Sequence, residues 1–233
     1  MEYNRPETYL DGAVLYIDKP LTWTSFDVVN KIRKSLRQQL GIKKIKVGHA
    51  GTLDPLATGL VIICTGKATK QIMQFQDMDK AYIAQVRLGA TTPSFDMETE
   101  VDHTYPWEQI TSDKIKQALL KLSGDQEQVP PLFSAKSVDG KRAYAMARKG
   151  KQMELKSQMV HISRLELVSQ ELPDLILEVE CSKGTYIRSL ARDLGLLLDS
   201  GAYLTGLRRT RIGPYHVDKA VSLENFIEKL KLL

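Results

Sequence analysis

One stretch gathers residue types able to act on a polar ligand: Gly48-His49-Ala50-Gly51-Thr52-Leu53-Asp54-Pro55-Leu56-Ala57-Thr58-Gly59. Glycines let a backbone approach a bound molecule closely. Pro55 pushes Asp54 out of the helical region, so a single carboxylate is presented from a stiff loop just before an apolar run. Such a group can act as a nucleophile or a base. Taken alone, an Asp-Pro pair is also an ordinary turn starter, and His49 an ordinary hydrogen-bonded histidine. A second stretch, Cys181-Ser182-Lys183-Gly184-Thr185-Tyr186-Ile187-Arg188-Ser189-Leu190, places a strand end against a helix start, where free N–H groups are available. Arg188 falls one step off the apolar stripe of that helix. There it is either a solvated arginine or a guanidinium that pairs with a carboxylate and keeps it ionised.

Other chemistries lack their signatures. The chain has no phosphate-binding glycine loop, dinucleotide fingerprint, nucleophile elbow or paired-histidine zinc motif. Its four histidines (His49, His103, His161, His216) are far apart, and no Cys-x-x-Cys occurs, which argues against zinc. An enzyme built on these residues is expected to need no metal and no cofactor.

The elements that must position these groups are legible as periodicities. Residues 12–18 read as a short buried strand stopped at Lys19-Pro20. A helix follows, N-capped by Ser25, with Phe26, Val29, Ile32, Leu36 and Leu40 on one face and Gly41 closing it. Residues 60–64 form an apolar strand, and residues 80–88 alternate, with Tyr82, Ala84, Val86 and Leu88 on one side. Residues 91–106 are polar and expected to be an exposed loop. A helix over 112–122, strands over 159–168 and 175–181, a helix over 185–199 and a final helix over 223–232 complete the pattern. Irregular alternation with mostly half-polar strands predicts an α+β fold with a mixed, mostly antiparallel central sheet flanked by helices. No linker divides the 233 residues into two cores, so a single domain over 1–233 is expected.

Composition sets outer bounds. The 42% hydrophobic and 26% charged content is that of a globular protein. The longest apolar run, residues 60–64, is too short to span a bilayer, and the N-terminal residues do not form a secretory signal. Cys64 and Cys181 form no disulfide framework, so a cytoplasmic protein is expected. The net charge is +5, and residues 136–156 alone carry seven basic against two acidic residues; the rest of the chain balances. That segment is either a solvated face or an arm for a polyanion, and Lys43-Lys44-Lys46 and Arg208-Arg209-Arg211 add smaller basic clusters.

Taken in order, these pieces resemble the catalytic domain of the tRNA pseudouridine synthase B family. The likeness runs through residues 12–20, 48–59, 66–70, 80–82 with 87–89, 128–136, 181–188 and 207–209, and G-H-x-G-x-L-D-P-x-A-x-G is its most specific part. It implies the pseudouridine synthase fold and cofactor-free isomerisation of the T-loop uridine at tRNA position 55 after that base is flipped out. Asp54 matches the aspartate essential for breaking the glycosidic bond, and Arg188 the arginine paired with it. Tyr82 matches the tyrosine that stacks on the flipped base and is a candidate to move a proton in the closing step. His49 matches a histidine that helps hold the displaced nucleotide, and Tyr186 and Leu207 match pocket residues. Lys19 and Pro20 match a motif that supports the catalytic loop. The basic segment corresponds to a thumb over about 125–151, which assigns RNA contacts to Lys136, Lys141, Arg142, Arg148, Lys149 and Lys151.

Many relatives continue into a small C-terminal RNA-binding (PUA) domain, whereas this sequence reaches Leu233 after one helix. The expectation is therefore binding to the tRNA T arm without that domain or a guide RNA; with no apolar span and nothing that suggests an obligate dimer, a monomer with no membrane partner is expected. Two rival readings are a non-catalytic tRNA-folding chaperone and an enzyme that uses Asp54 on a small nucleotide.

Overall fold

The computed structural model describes residues 6–133, 137–138, 141–142 and 155–232. Lys136, Arg148, Lys149 and Lys151 lie outside the described residues, as do the side chains of Lys141 and Arg142. In chain order the elements are α1 (Pro6–Asp11), β1 (Val14–Lys19), α2 (Ser25–Gln39), β2 (Val47–His49), β3 (Ala57–Thr65) and, after a 3-10 turn, α3 (Ile72–Asp77). Then come β4 (Lys80–Leu88), β5 (Ala90–Thr91), β6 (His103–Thr104), α4 (Ser112–Lys121), β7 (Gly124–Gln128), β8 (Ser137–Val138) and β9 (Lys141–Arg142). The chain continues with β10 (Gln158–Glu171), β11 (Asp174–Cys181), α5 (Ile187–Leu197), β12 (Ala202–Ile212), β13 (Tyr215–His216), β14 (Val221–Ser222) and α6 (Leu223–Leu230). They fall into two compact units, residues 1–82 with 208–233, and residues 83–207.

In the first unit β1 runs antiparallel to β3, from Val14 opposite Cys64 to Lys19 opposite Gly59, and parallel to β14. The short β2 adds to the other side of part of β3, with His49 opposite Ile63. Nearly every residue of β3 is buried, as a strand covered on both faces requires. One side of this core gathers Ala50, Leu60, Ile62, Cys64, Ala68, Phe75 and Ile212. The helix α2 buries Val28, Val29, Ile32 and Leu36. Its cap is Thr24 rather than Ser25. The Thr24 hydroxyl accepts from the Asp27 N–H, and the Asp27 carboxylate accepts from the Thr24 N–H, a reciprocal pair that satisfies two helix-start donors. Phe26, at the edge of the stripe formed by Val28, Val29, Ile32 and Leu36, is 60% exposed and not buried as expected.

In the second unit β10 and β11 form a long hairpin, from Ile162 opposite Cys181 to Glu171 opposite Asp174, and β7 pairs antiparallel with β10. Leu175, Leu177 and Val179 are buried along β11 while their neighbours are half-buried, as the alternation predicts. The helices α4 and α5 bury Ile115, Ala118 and Leu119, and Ile187, Leu190, Ala191 and Leu194, respectively. The segment 91–106, expected to be exposed, buries Thr92, Ser94 and Asp96. Both hydroxyls bond the Asp96 carbonyl, so these polar groups are satisfied inside instead of in water. Both units thus pair mostly antiparallel strands with helices, and the free thiols of Cys64 and Cys181 are buried. Among the described residues no helix is long and apolar enough to cross a membrane.

Candidate active site

In the first unit, residues 50–56 form the loop that carries Asp54, and neighbouring elements hold peptide groups on both sides of it. The Leu53 N–H donates to Ser25 Oγ (2.8 Å), and that hydroxyl donates back to the Leu53 carbonyl (3.2 Å). Ser25 is thus a loop anchor rather than a cap. The Pro55 carbonyl accepts from the Thr22 N–H at 2.8 Å and from Lys19 Nζ at 3.3 Å. Thr22 reaches it with φ of 70°, a left-handed conformation uncommon for a β-branched residue. On the far side Arg209 donates to the carbonyls of Gly51 (3.2 Å), Thr52 (3.3 Å) and Leu60 (2.8 Å).

Two of these anchors are buried cations. Lys19 and Arg209 are each 1% exposed. Lys19, at the end of β1, also donates to the carbonyls of Pro20 (2.9 Å) and Trp23 (2.5 Å). Burial draws its ammonium down to about 8, opposed by attraction to Asp54 and assisted by repulsion from Arg209. The same attraction favours the charged Asp54 carboxylate. His49 sits at the end of β2 with Nδ1 buried and without a hydrogen-bond partner among the described residues. Burial lowers its pKa, against the Gly51 backbone and in concert with the Arg209 charge, so the imidazole is neutral at pH 7. Tyr82 is buried in β4 on the face that also carries Ala84 and Val86.

Within the basic cluster Arg208-Arg209-Arg211, Arg209 is therefore internal wiring, while Arg208 and Arg211 are half-buried and engaged by neighbouring acceptors. Arg208 pairs with Asp18 at 2.6 Å, and Arg211 Nη1 donates to the Gly213 carbonyl.

In the second unit Tyr186 caps α5 through its backbone. Its N–H donates to Gln128 Oε1 (2.8 Å), and its carbonyl accepts from Gln128 Nε2 (3.2 Å). The buried glutamine thereby fixes the strand-to-helix corner. Arg188 is only 4% exposed, which excludes the solvated alternative. It donates to the carbonyls of Ser94 (3.2 Å) and Phe133 (2.7 Å) and lies 3.7 Å from the Asp96 carboxylate. A guanidinium so held has its planar face and remaining N–H directions set in advance. Leu207 is half-buried in β12. Lys19, His49, Asp54 and Tyr82 thus belong to one unit, where Lys19 and Asp54 interact, and Tyr186, Arg188 and Leu207 belong to the other. Residues not foreseen are Ser25, Thr22 and Arg209 around the loop, and Gln128, Ser94 and Asp96 around the α5 start. The Thr24-x-x-Asp27 spacing carried a signal for Ser25, as a capping box that frees it, and Gln128 and Arg209 fall within segments of the family likeness.

Comparison with known proteins shows what this arrangement is similar to. The profile of the TruB family pseudouridylate synthase (N terminal domain) matches residues 37–187. The profile of the tRNA pseudouridylate synthase B C-terminal domain matches residues 188–232. A tRNA pseudouridine synthase B of Phocaeicola vulgatus is 59% identical over 95% of this chain and 94% of its own length. One of Flavobacterium johnsoniae is 50% identical over 97% and 99%. Among solved structures, a chain from a Cbf5-Nop10-Gar1 complex superposes with a TM-score of 0.73 at 28% identity. That match covers 97% of this chain but 57% of the solved one. With the profile spanning the Asp54 loop and relatives alike from end to end, the chain belongs to the TruB family of pseudouridylate synthases.

Proposed function

We propose that the chain isomerises the T-loop uridine at position 55 of tRNA to pseudouridine, with Asp54 as its catalytic carboxylate. The observation that carries this reading is the loop itself: Asp54 is presented between peptide groups held by Ser25, Thr22, Lys19 and Arg209. A group fixed in this way meets its substrate without first being ordered. The reaction detaches uracil, turns it and rejoins it through carbon, so it is redox-neutral. Three roles are open to Asp54: attack on the sugar carbon, attack on the base, or removal of a sugar proton. Each requires the ionised carboxylate, which the buried Lys19 ammonium favours and which Arg188 reinforces by pairing with it. Tyr82 stacks on the flipped base and helps keep water out, His49 holds the displaced nucleotide, and Tyr186 and Leu207 line the pocket.

A uridine inside a folded tRNA must leave its stack, at a cost of a few kcal/mol. Phosphate contacts from the basic thumb offset that cost and make binding salt-dependent. The enzyme works in the cytoplasm as a monomer without guide RNA. A tRNA-folding chaperone with an idle pocket is disfavoured by the names of the relatives and by the retained Asp54, Tyr82 and Arg188. Incubating the purified chain with an unmodified tRNA transcript, with chelator and without cofactor, and mapping pseudouridine tests the reading. One modified site in the T loop is expected. Tight binding with no modification would favour the chaperone, and indifference to tRNA would reject both.

A further inference from the structure

Residues 31–46 hold seven basic residues and no acidic one, and no Asp or Glu occurs between Asp27 and Asp54. That run alone exceeds the net charge of the whole chain, so the balance outside the thumb is a sum and not a spatial fact. The apolar stripe of α2 turns Val28, Val29, Ile32 and Leu36 inward, which leaves Lys31, Lys34 and Arg37 exposed on the opposite face. After the helix, Lys43, Lys44 and Lys46 are exposed as well. None of these six forms an ion pair with a carboxylate among the described residues. Arg33 differs, since it donates to Asn30 Oδ1 (2.8 Å) and the Val47 carbonyl (2.9 Å) and so ties α2 to β2. An ordinary solvated helix face mixes signs, as α6 does with Glu224, Glu228 and Lys229. Six like charges, three on α2 and three on the segment between α2 and β2, repel one another and call for an anionic partner.

Shape agrees with charge. An open groove of about 410 Å³ is lined by Thr22, Trp23, Asp27, Asn30, Lys31 and Lys34. Its one carboxylate, Asp27, is engaged by the Thr24 cap. The groove starts at Thr22, whose N–H holds the Pro55 carbonyl beside Asp54. Trp23 and the exposed ring of Phe26 place aromatic surface among the cations, a combination suited to nucleic acid.

We infer that this face of α2 and the loop behind it form a second RNA-binding surface, distinct from the thumb, which grips the sugar-phosphate backbone of the tRNA. The inference rests on the tRNA reading above. It is tested by the triple variant Lys31→Ala, Lys34→Ala, Arg37→Ala, whose exposed positions leave the core untouched. The control is Lys114→Ala, Lys116→Ala, Lys121→Ala on α4. Affinity for an unmodified tRNA transcript is measured across a salt series, alongside KM for pseudouridine formation. The α2 variant is expected to flatten the slope of log affinity against log salt by about two to three, roughly one for each phosphate no longer neutralised. It is also expected to raise KM, while the α4 control binds as the wild type does. An α2 variant with wild-type affinity and slope would overturn the inference while leaving the enzyme assignment standing. Wild-type protein that fails to bind tRNA would overturn both. If the variant keeps tRNA affinity and instead loses binding to vesicles of anionic phospholipid, the surface belongs to a membrane and the RNA assignment falls.

Discussion

Lys19 shows how much one side chain can control at this site. Its ammonium is buried, points at the carbonyls of Pro20, Trp23 and Pro55, and has a pKa drawn from 10.5 to about 8. Between those values the unfolded chain binds the proton that the folded chain has released, so this group makes the fold more stable as pH rises through that window. Its contribution is complete above 10.5 and lost as pH falls through about 8. Function runs the opposite way, since deprotonation removes a donor from the Asp54 loop. Activity is therefore expected to fall on the alkaline side with a midpoint near pH 8 while thermal stability holds or improves. A pH–rate profile beside a pH series of unfolding curves checks both. In Lys19→Met that midpoint is expected to vanish and kcat to drop about 10- to 100-fold, since a misplaced catalytic group alone can cost a hundredfold. His49, with its pKa lowered by burial, gives no limb above the ordinary histidine range.

Among the elements, β3 and β12 constrain the loop most. Gly59 has φ of +107°, and a Cβ there would lie 2.2 Å from the Arg209 carbonyl oxygen. Gly59→Ala is thus expected to force the strands apart, shift Arg209 and lose both thermal stability and turnover. Arg209→Met nearly keeps the volume but removes the guanidinium donors from the carbonyls of Gly51, Thr52 and Leu60, at a cost of about 1–3 kcal/mol for each carbonyl left unpaired. Unfolding curves of both variants check this, and a wild-type melting temperature in either would refute the clamp. These elements also show where pattern reading stops. Strand β11 and helices α4 and α5 were legible because water on one side imposes a period on their residues. Strand β12 was not, because three of its residues are arginines that read as surface charge, although one is buried against peptide carbonyls. The same blindness hid Ser94 and Asp96 beneath Arg188: a polar residue satisfied by hydrogen bonds inside looks identical in sequence to one satisfied by water. Phe26 failed in the other direction, since its three-residue step to Val29 suggests the buried stripe, but at about 100° per residue it falls on the rim of the stripe formed by Val28, Val29, Ile32 and Leu36.

Across the whole molecule, the residues proposed for the site occur in both units: Lys19, His49, Asp54 and Tyr82 belong to one, and Tyr186, Arg188 and Leu207 to the other. The Asp54 loop was legible because its glycines and proline specify backbone shape directly. Its supports were not, because Ser25, Thr22 and Arg209 act through peptide groups that any sequence possesses. The pairing proposed between Asp54 and Arg188 has its own test in the acid limb of the single-turnover rate. Arg188→Ala is expected to move that limb to higher pH, as loss of a cation raises a carboxylate pKa, and an unmoved limb would reject the pairing. Charge follows a similar logic at this scale, since a net value of +5 conceals both the thumb and the α2 surface. What matters most is whether Asp54 does the chemistry. The decisive measurement is single-turnover pseudouridine formation by Asp54→Asn on an unmodified tRNA transcript, with binding measured in parallel. No pseudouridine is expected, with tRNA affinity nearly intact; turnover retained in that variant would contradict the assignment of the catalytic carboxylate.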